Sequence, residues 1–141
     1  VRKFNRVIAW CIAMLIMVAP VTASAQMNGI DVSNWQSGIN INAMNVDFVI
    51  VKATEGSGYT SPSFTRQAND TLNSGKKLGL YHYMSYMTPA KQQAEHFVDT
   101  VKPYLNKAVL VLDFESTAVN KGVPFALEFL QTVENLTGVK P

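Results

Sequence analysis

The chain has 141 residues with twelve basic and ten acidic side chains, a formal net charge of +2, 48% apolar residues and one cysteine. That length holds one domain at most. Arg2, Lys3 and Arg6 precede an uncharged apolar run, and the remainder carries nine basic against ten acidic residues. This balance excludes a nucleic-acid binder, which presents a clustered basic face.

In chain order, the basic start is followed by the apolar run of residues 7–19, by Pro20, and by a small-x-small pattern ending at Ala25. A secretory signal peptide over residues 1–25 is expected, with cleavage after Ala25. The apolar run is shorter than the roughly 20 residues that span a bilayer. The expected product is therefore secreted, extracellular or periplasmic, and has no stable membrane anchor. The single cysteine, Cys11, lies inside this run. The rest of the chain must be stabilised by its core without disulfides.

Four short apolar runs then predict strands over residues 29–33, 47–54, 78–84 and 108–114. Their nearly continuous apolar character predicts burial on both faces. Helices are expected between them. Ser61-Pro62 opens one that runs to Asn73, with Gly75 as its stop. Thr88-Pro89 opens a second, with Ala94, Phe97, Val98 and Val101 at helical spacing and Pro103 at its end. A third carries Phe125, Leu127, Phe129, Leu130 and Val133 and closes near Gly138. Phe48, Phe97, Phe125 and Phe129 are expected in the core. Strand–helix alternation with short links predicts a parallel α/β architecture. Only four such units fit into residues 27–138, whereas a TIM-like (β/α) barrel takes eight strands and about 250 residues. An open four-stranded sheet also leaves unprotected edges. The expectation is a TIM-like barrel of which this chain supplies the first four units, residues 26–141 being the N-terminal part of a truncated domain.

The strand ends carry the chemistry. Asp113 and Glu115 lie two apart, so a strand points both to one face, roughly 6 to 7 Å apart. Neighbouring carboxylates push their pKa values apart, which lets one act as an acid while the other stays charged. The first strand ends at Asp31, the second is followed by Glu55, and the third alternates Tyr81 and Tyr83. Parallel strands deliver such ends to one rim. Carboxylates and aromatic faces around one pocket suit a carbohydrate.

Four motifs stand in order: Gly-Ile-Asp-Val-Ser-Asn-Trp-Gln at 29–36, Lys-Ala-Thr-Glu-Gly at 52–56, Tyr-His-Tyr at 81–83 and Leu-Asp-Phe-Glu at 112–115. Together they resemble the glycoside hydrolase family 25 lysozymes, the Chalaropsis-type muramidases, over the N-terminal three-fifths or so of that domain. The resemblance implies hydrolysis of the β-1,4 bond between N-acetylmuramic acid and N-acetylglucosamine in peptidoglycan. It implies Glu115 as general acid/base and Asp113 as the group that orients the substrate's 2-acetamido group. The same resemblance implies that Asp31 lines the cleavage subsite, as a candidate catalytic carboxylate, and that Glu55 and Tyr81 bind substrate or tune the site; Tyr83 and Trp35 are further candidates for substrate binding. The later strands of the family pattern, with the rest of the pocket wall, are absent from this chain.

Other features read more plainly. Alternation turns His82 away from Tyr81 and Tyr83, into the interior, and His96 is expected in solvent. Two histidines at this spacing form no metal site, and neither a metal nor a cofactor is expected. Lys52 is expected to pair with a pocket carboxylate. Trp35 either stacks on a sugar or covers the strand ends. Gly56-Ser57-Gly58 lacks the sequel of a phosphate loop. The expected partner is the peptidoglycan glycan strand, taken by a monomer. The alternatives are a glycan-binding barrel without the chemistry and an inactive truncated fragment.

Overall fold

The computed structural model describes residues 26–141, so the expected signal segment lies outside the described residues. Five strands are present: β1 (Gly29–Val32), β2 (Phe48–Glu55), β3 (Tyr59–Thr60), β4 (Lys77–Tyr83) and β5 (Ala108–Asp113). Three helices connect or follow them: α1 (Phe64–Asn73), α2 (Ala90–Val101) and α3 (Val123–Thr137). The sheet runs β1-β2-β4-β5 with all three junctions parallel, and the two-residue β3 pairs antiparallel with the end of β2. The four main strands thus neighbour one another in chain order, without reversal.

The helices bury the stripe that their spacing dictates. On α2, Ala90, Gln93, Ala94, Phe97, Val98 and Val101 fall on one face and are all buried. On α1 the buried set is Phe64, Gln67, Ala68 and Thr71. This helix starts at Phe64 rather than Ser61, because the Ser61 N–H turns back to the Ala53 carbonyl at 2.9 Å. Pro103 lies in a single 3-10 turn, Lys102–Tyr104, that ends α2. Gly138, at φ 71°, closes α3 in the left-handed conformation that favours glycine.

The core lies between these helices and one face of the sheet: Val32, Val49, Val51, Ala53, Leu78, Leu80 and Leu110 point into it and are buried. The opposite face departs from the expectation of two-sided burial. Asp31, Ile50, Lys52, Tyr81, Tyr83, Val111 and Asp113 are exposed or only half-buried, and Val109 is 66% exposed. No described element packs over that face. Phe48 also lies there, half-buried, where its ring fills the space that a Gly29 Cβ would need. Phe97 and Phe129 are fully buried as expected, and Phe125 packs against the core from its edge.

Phe129 anchors α3 by stacking on the His82 ring at 4.7 Å and meeting Phe97 at 5.9 Å. Truncating a buried phenylalanine removes its transfer energy and leaves a cavity, about 3–5 kcal/mol together. Phe129→Ala is expected to cost that much in urea unfolding. A loss below about 1 kcal/mol, small for such a truncation, would contradict the packing described.

Candidate active site

The sheet's C-terminal edge gathers the predicted residues. Asp31 stands one residue before the end of β1 and is exposed, while Asp113 ends β5 and is half-buried. Tyr83 of β4 pairs in register with Asp113 on one side and Glu55 on the other. Asp31, Ile50, Tyr81, Val111, Leu112 and Asp113 line one cavity of about 240 Å³. Glu115 follows two residues beyond Asp113, exposed, with extended backbone at φ −140° and ψ −169°. Ser116 next to it adopts φ 54°, a left-handed conformation that costs a non-glycine residue on the order of 1 kcal/mol. The chain therefore turns sharply just after the carboxylate, into the 3-10 turn of Ser116–Lys121.

Electrostatics tie these ends together. Burial pushes the Tyr81 phenol up to about 12, and the charges of Asp113, Asp31, Glu115 and Glu55 push the same way. One hydroxyl therefore feels all four carboxylates and stays protonated as a donor. Asp113 is itself raised above the ordinary carboxylate range, first by burial and then by Glu115 and Asp31, with Lys52 opposing. A carboxylate whose folded pKa is raised is less favourable folded than unfolded once it is charged. Asp113→Asn is therefore expected to raise the melting temperature at pH 7, where the charge is present. A lower melting temperature would contradict this electrostatic picture.

Glu55 reaches the rim through an irregularity. Strict alternation along β2 would put Lys52 and Thr54 on the open face and Glu55 in the core. Instead the pairing with β4 shifts register between Lys52 and Thr54, so Ala53 and Thr54 are both buried and Glu55 turns outward. Lys52 Nζ then donates to Glu55 Oε2 at 2.6 Å, the carboxylate pairing expected for it. The same ammonium lies 4.7 Å from the Tyr83 ring centroid and 5.7 Å from that of Tyr59. Tyr59 comes from the β2–β3 hairpin, whose turn at Gly56 takes φ 56°. This hairpin escaped sequence reasoning.

Trp35 sits in the 3-10 turn Asn34–Gln36 and is 94% exposed, so it does not cover the strand ends. Its turn is nonetheless fixed. Ser33 N–H donates to Gln36 Oε1 at 2.9 Å, Trp35 N–H donates to Ser33 Oγ at 3.2 Å, and buried Gln67 donates to the carbonyls of Ser33 and Gln36. His82 is buried as expected. His96 departs from expectation: half-buried, its Nε2 lies 3.1 Å from the Tyr59 carbonyl and so braces the hairpin.

The fold and rim define a parallel α/β protein with an acidic, tyrosine-bearing site at the carboxyl edge of its sheet. The model of glycosyl hydrolases family 25 matches residues 30–141. The chain belongs to that family. It is 33% identical over 135 residues to the uncharacterized protein YegX of Escherichia coli, an alignment covering 86% of this chain and 48% of YegX. It is 34% identical over 94 residues to the autolytic lysozyme of Clostridium acetobutylicum, covering 64% of this chain and 29% of that protein. Among solved structures it resembles a muramidase from Acremonium alcalophilum with a TM-score of 0.71 at 25% identity, covering 82% of this chain and 64% of the other. The chain thus spans about half the length, or less, of the curated relatives it matches.

Proposed function

We propose that this chain supplies the acidic wall of a peptidoglycan-cleaving site, and that the whole protein is a secreted N-acetylmuramidase acting as a monomer on glycan strands. The observation that carries this reading is the cavity that Asp31, Tyr81 and Asp113 line together at the sheet's carboxyl edge, with the charges of Glu55 and Glu115 also acting on the Tyr81 phenol. Family membership and the similarity to a lysozyme and a muramidase support the substrate class. The unreversed order of four parallel strands supports a sector of a TIM-like barrel over a doubly wound sheet, whose order switches direction. The basic, apolar and small-residue sequence of residues 1–25 supports export.

In the proposed reaction Glu115, exposed and free to reach a leaving group, protonates the glycosidic oxygen. The carbonyl oxygen of the substrate's own 2-acetamido group closes on the anomeric carbon as the bond breaks. Asp113 accepts a hydrogen bond from the acetamido N–H, which partly offsets the cost of a charge held in a half-buried, acidic place. Water then opens the cyclic intermediate and gives its proton to Glu115. Substrate assistance of this kind removes the need for an enzymatic nucleophile. Asp31 lines the cleavage subsite, Tyr81 donates from its un-ionised phenol, and Glu55, Tyr83 and Trp35 bind flanking sugars.

Incubating the full-length protein with purified peptidoglycan tests the reading. New reducing ends should accumulate. Retention on the wall without any release would instead favour a glycan-binding module.

A further inference from the structure

Behind the tyrosine pair lies a line of buried polar side chains that no step of the proposed reaction uses. Thr54, His82 and Gln93 are each fully shielded from solvent. Thr54 Oγ1 lies 2.8 Å from His82 Nδ1, and His82 Nε2 lies 3.0 Å from Gln93 Oε1. Gln93 Oε1 also accepts the Ser85 N–H at 2.8 Å, and its Nε2 donates to the carbonyls of Ser85 and Thr88, both at 2.7 Å. These bonds fix every proton. Gln93 Oε1 is an acceptor, so His82 carries its hydrogen on Nε2, and its Nδ1 accepts from the Thr54 hydroxyl.

The line begins at the β2 register shift that turns Glu55 outward and ends in the β4–α2 loop. The end of β4 and the start of that loop each bond to the rim. The Gly56 N–H donates to the Tyr83 carbonyl at 3.3 Å, and the Met84 N–H donates to the Asp113 carbonyl at 3.0 Å. A Cβ on Gly56 would meet Ser85 at 3.5 Å, so hairpin and loop are in contact there. An apolar side chain at position 54 would occupy the core as well, without a direction. The hydroxyl gives Thr54 a single satisfied orientation, and losing it leaves a buried acceptor unpaired.

We infer that Thr54, His82 and Gln93 form a positioning spine that holds the β2 shift, and with it Glu55 and the Tyr83–Asp113 rim, in the geometry that receives the glycan. The part of the inference that concerns glycan affinity rests on the muramidase reading; the part that concerns rim order does not.

Two measurements on the full-length protein separate them. In Thr54→Val, isosteric and equally suited to a strand, amide exchange at Gly56 and Met84 should quicken at least tenfold relative to the core amides of Val51 and Leu80. Thr54→Ser, which restores the hydroxyl, should return these rates to within twofold of the parent. On peptidoglycan, Thr54→Val should lower kcat/KM at least fivefold, and Thr54→Ser should restore it to within twofold of the parent. Gly56 and Met84 exchanging in step with the core, or Thr54→Ser behaving as Thr54→Val does, would overturn the spine. Absence of turnover in the parent protein, with the exchange pattern as expected, would overturn the muramidase reading and leave the spine standing.

Discussion

Glu115→Gln should lower the rate of glycan cleavage about 10²–10⁴-fold, the usual contribution of a positioned general acid/base. The amide keeps the shape and the hydrogen-bonding reach of the side chain but has no proton to transfer. Glu115 is exposed beyond the end of β5, and it makes none of the side-chain hydrogen bonds or ion pairs found among the described residues. Its replacement should therefore leave stability within about 0.5 kcal/mol of the parent, as for surface positions generally. Loss of activity with an unchanged melting temperature is the expected pair of results, read from reducing-end release and a thermal melt. Full activity in Glu115→Gln would move the acid role to Asp31 or Asp113.

The titration of His82 should by itself lower stability by about 3 kcal/mol as pH drops from 6.5 to 4. The cause is His82, whose imidazole burial lowers from 6.5 to about 4. Below pH 6.5 the unfolded chain takes up a proton that the folded ring refuses, and the difference saturates once the folded ring titrates near 4. The bond with Gln93 and the Glu55 carboxylate oppose the shift, while the charges of His96 and Lys52 add to it, but burial dominates. Asp113 acts in the opposite sense, since its raised pKa makes acidification favour the folded state. Urea unfolding at pH 7, 6, 5 and 4 should show a steeper decline in the parent than in His82→Gln, and equal slopes would mean that the ring is not held neutral.

The strands and the acidic rim were legible because they rest on local patterns. The four apolar runs at 29–33, 47–54, 78–84 and 108–114 match the parallel strands to within a residue at either end. Period-two alternation correctly sent Tyr81 and Tyr83 one way and His82 the other. Alternation failed at Thr54, where the register shift is set by pairing with β4, 28 residues away from it at His82. The same holds for Gln67 and Gln93. Neither was singled out in the sequence, and each is buried with its amide hydrogens taken by carbonyls at Ser33 and Gln36 or at Ser85 and Thr88. Only tertiary placement shows those partners. Continuous apolar runs, finally, tell of two apolar faces and not of what covers them, which is why Val109 and Phe48 were expected inside.

The open face bears on chemistry as well as on packing. Its carboxyl end carries Asp31, Tyr81 and Asp113, and its other end carries Phe48, Ile50, Gly79, Val109 and Val111 around an apolar cavity of about 190 Å³ with Met27 at its edge. Ile50 and Val111 border both cavities, so the apolar floor of the open face runs up to the acidic rim.

Mass analysis of the soluble fragments released from purified peptidoglycan tests the muramidase assignment at the bond itself. The fragments should carry N-acetylmuramic acid at their reducing ends, with stem peptides intact, and the Glu115→Gln protein should release them about 10²–10⁴-fold more slowly. Fragments with cut peptides and uncut glycan, or with N-acetylglucosamine at the reducing end, would contradict the assignment.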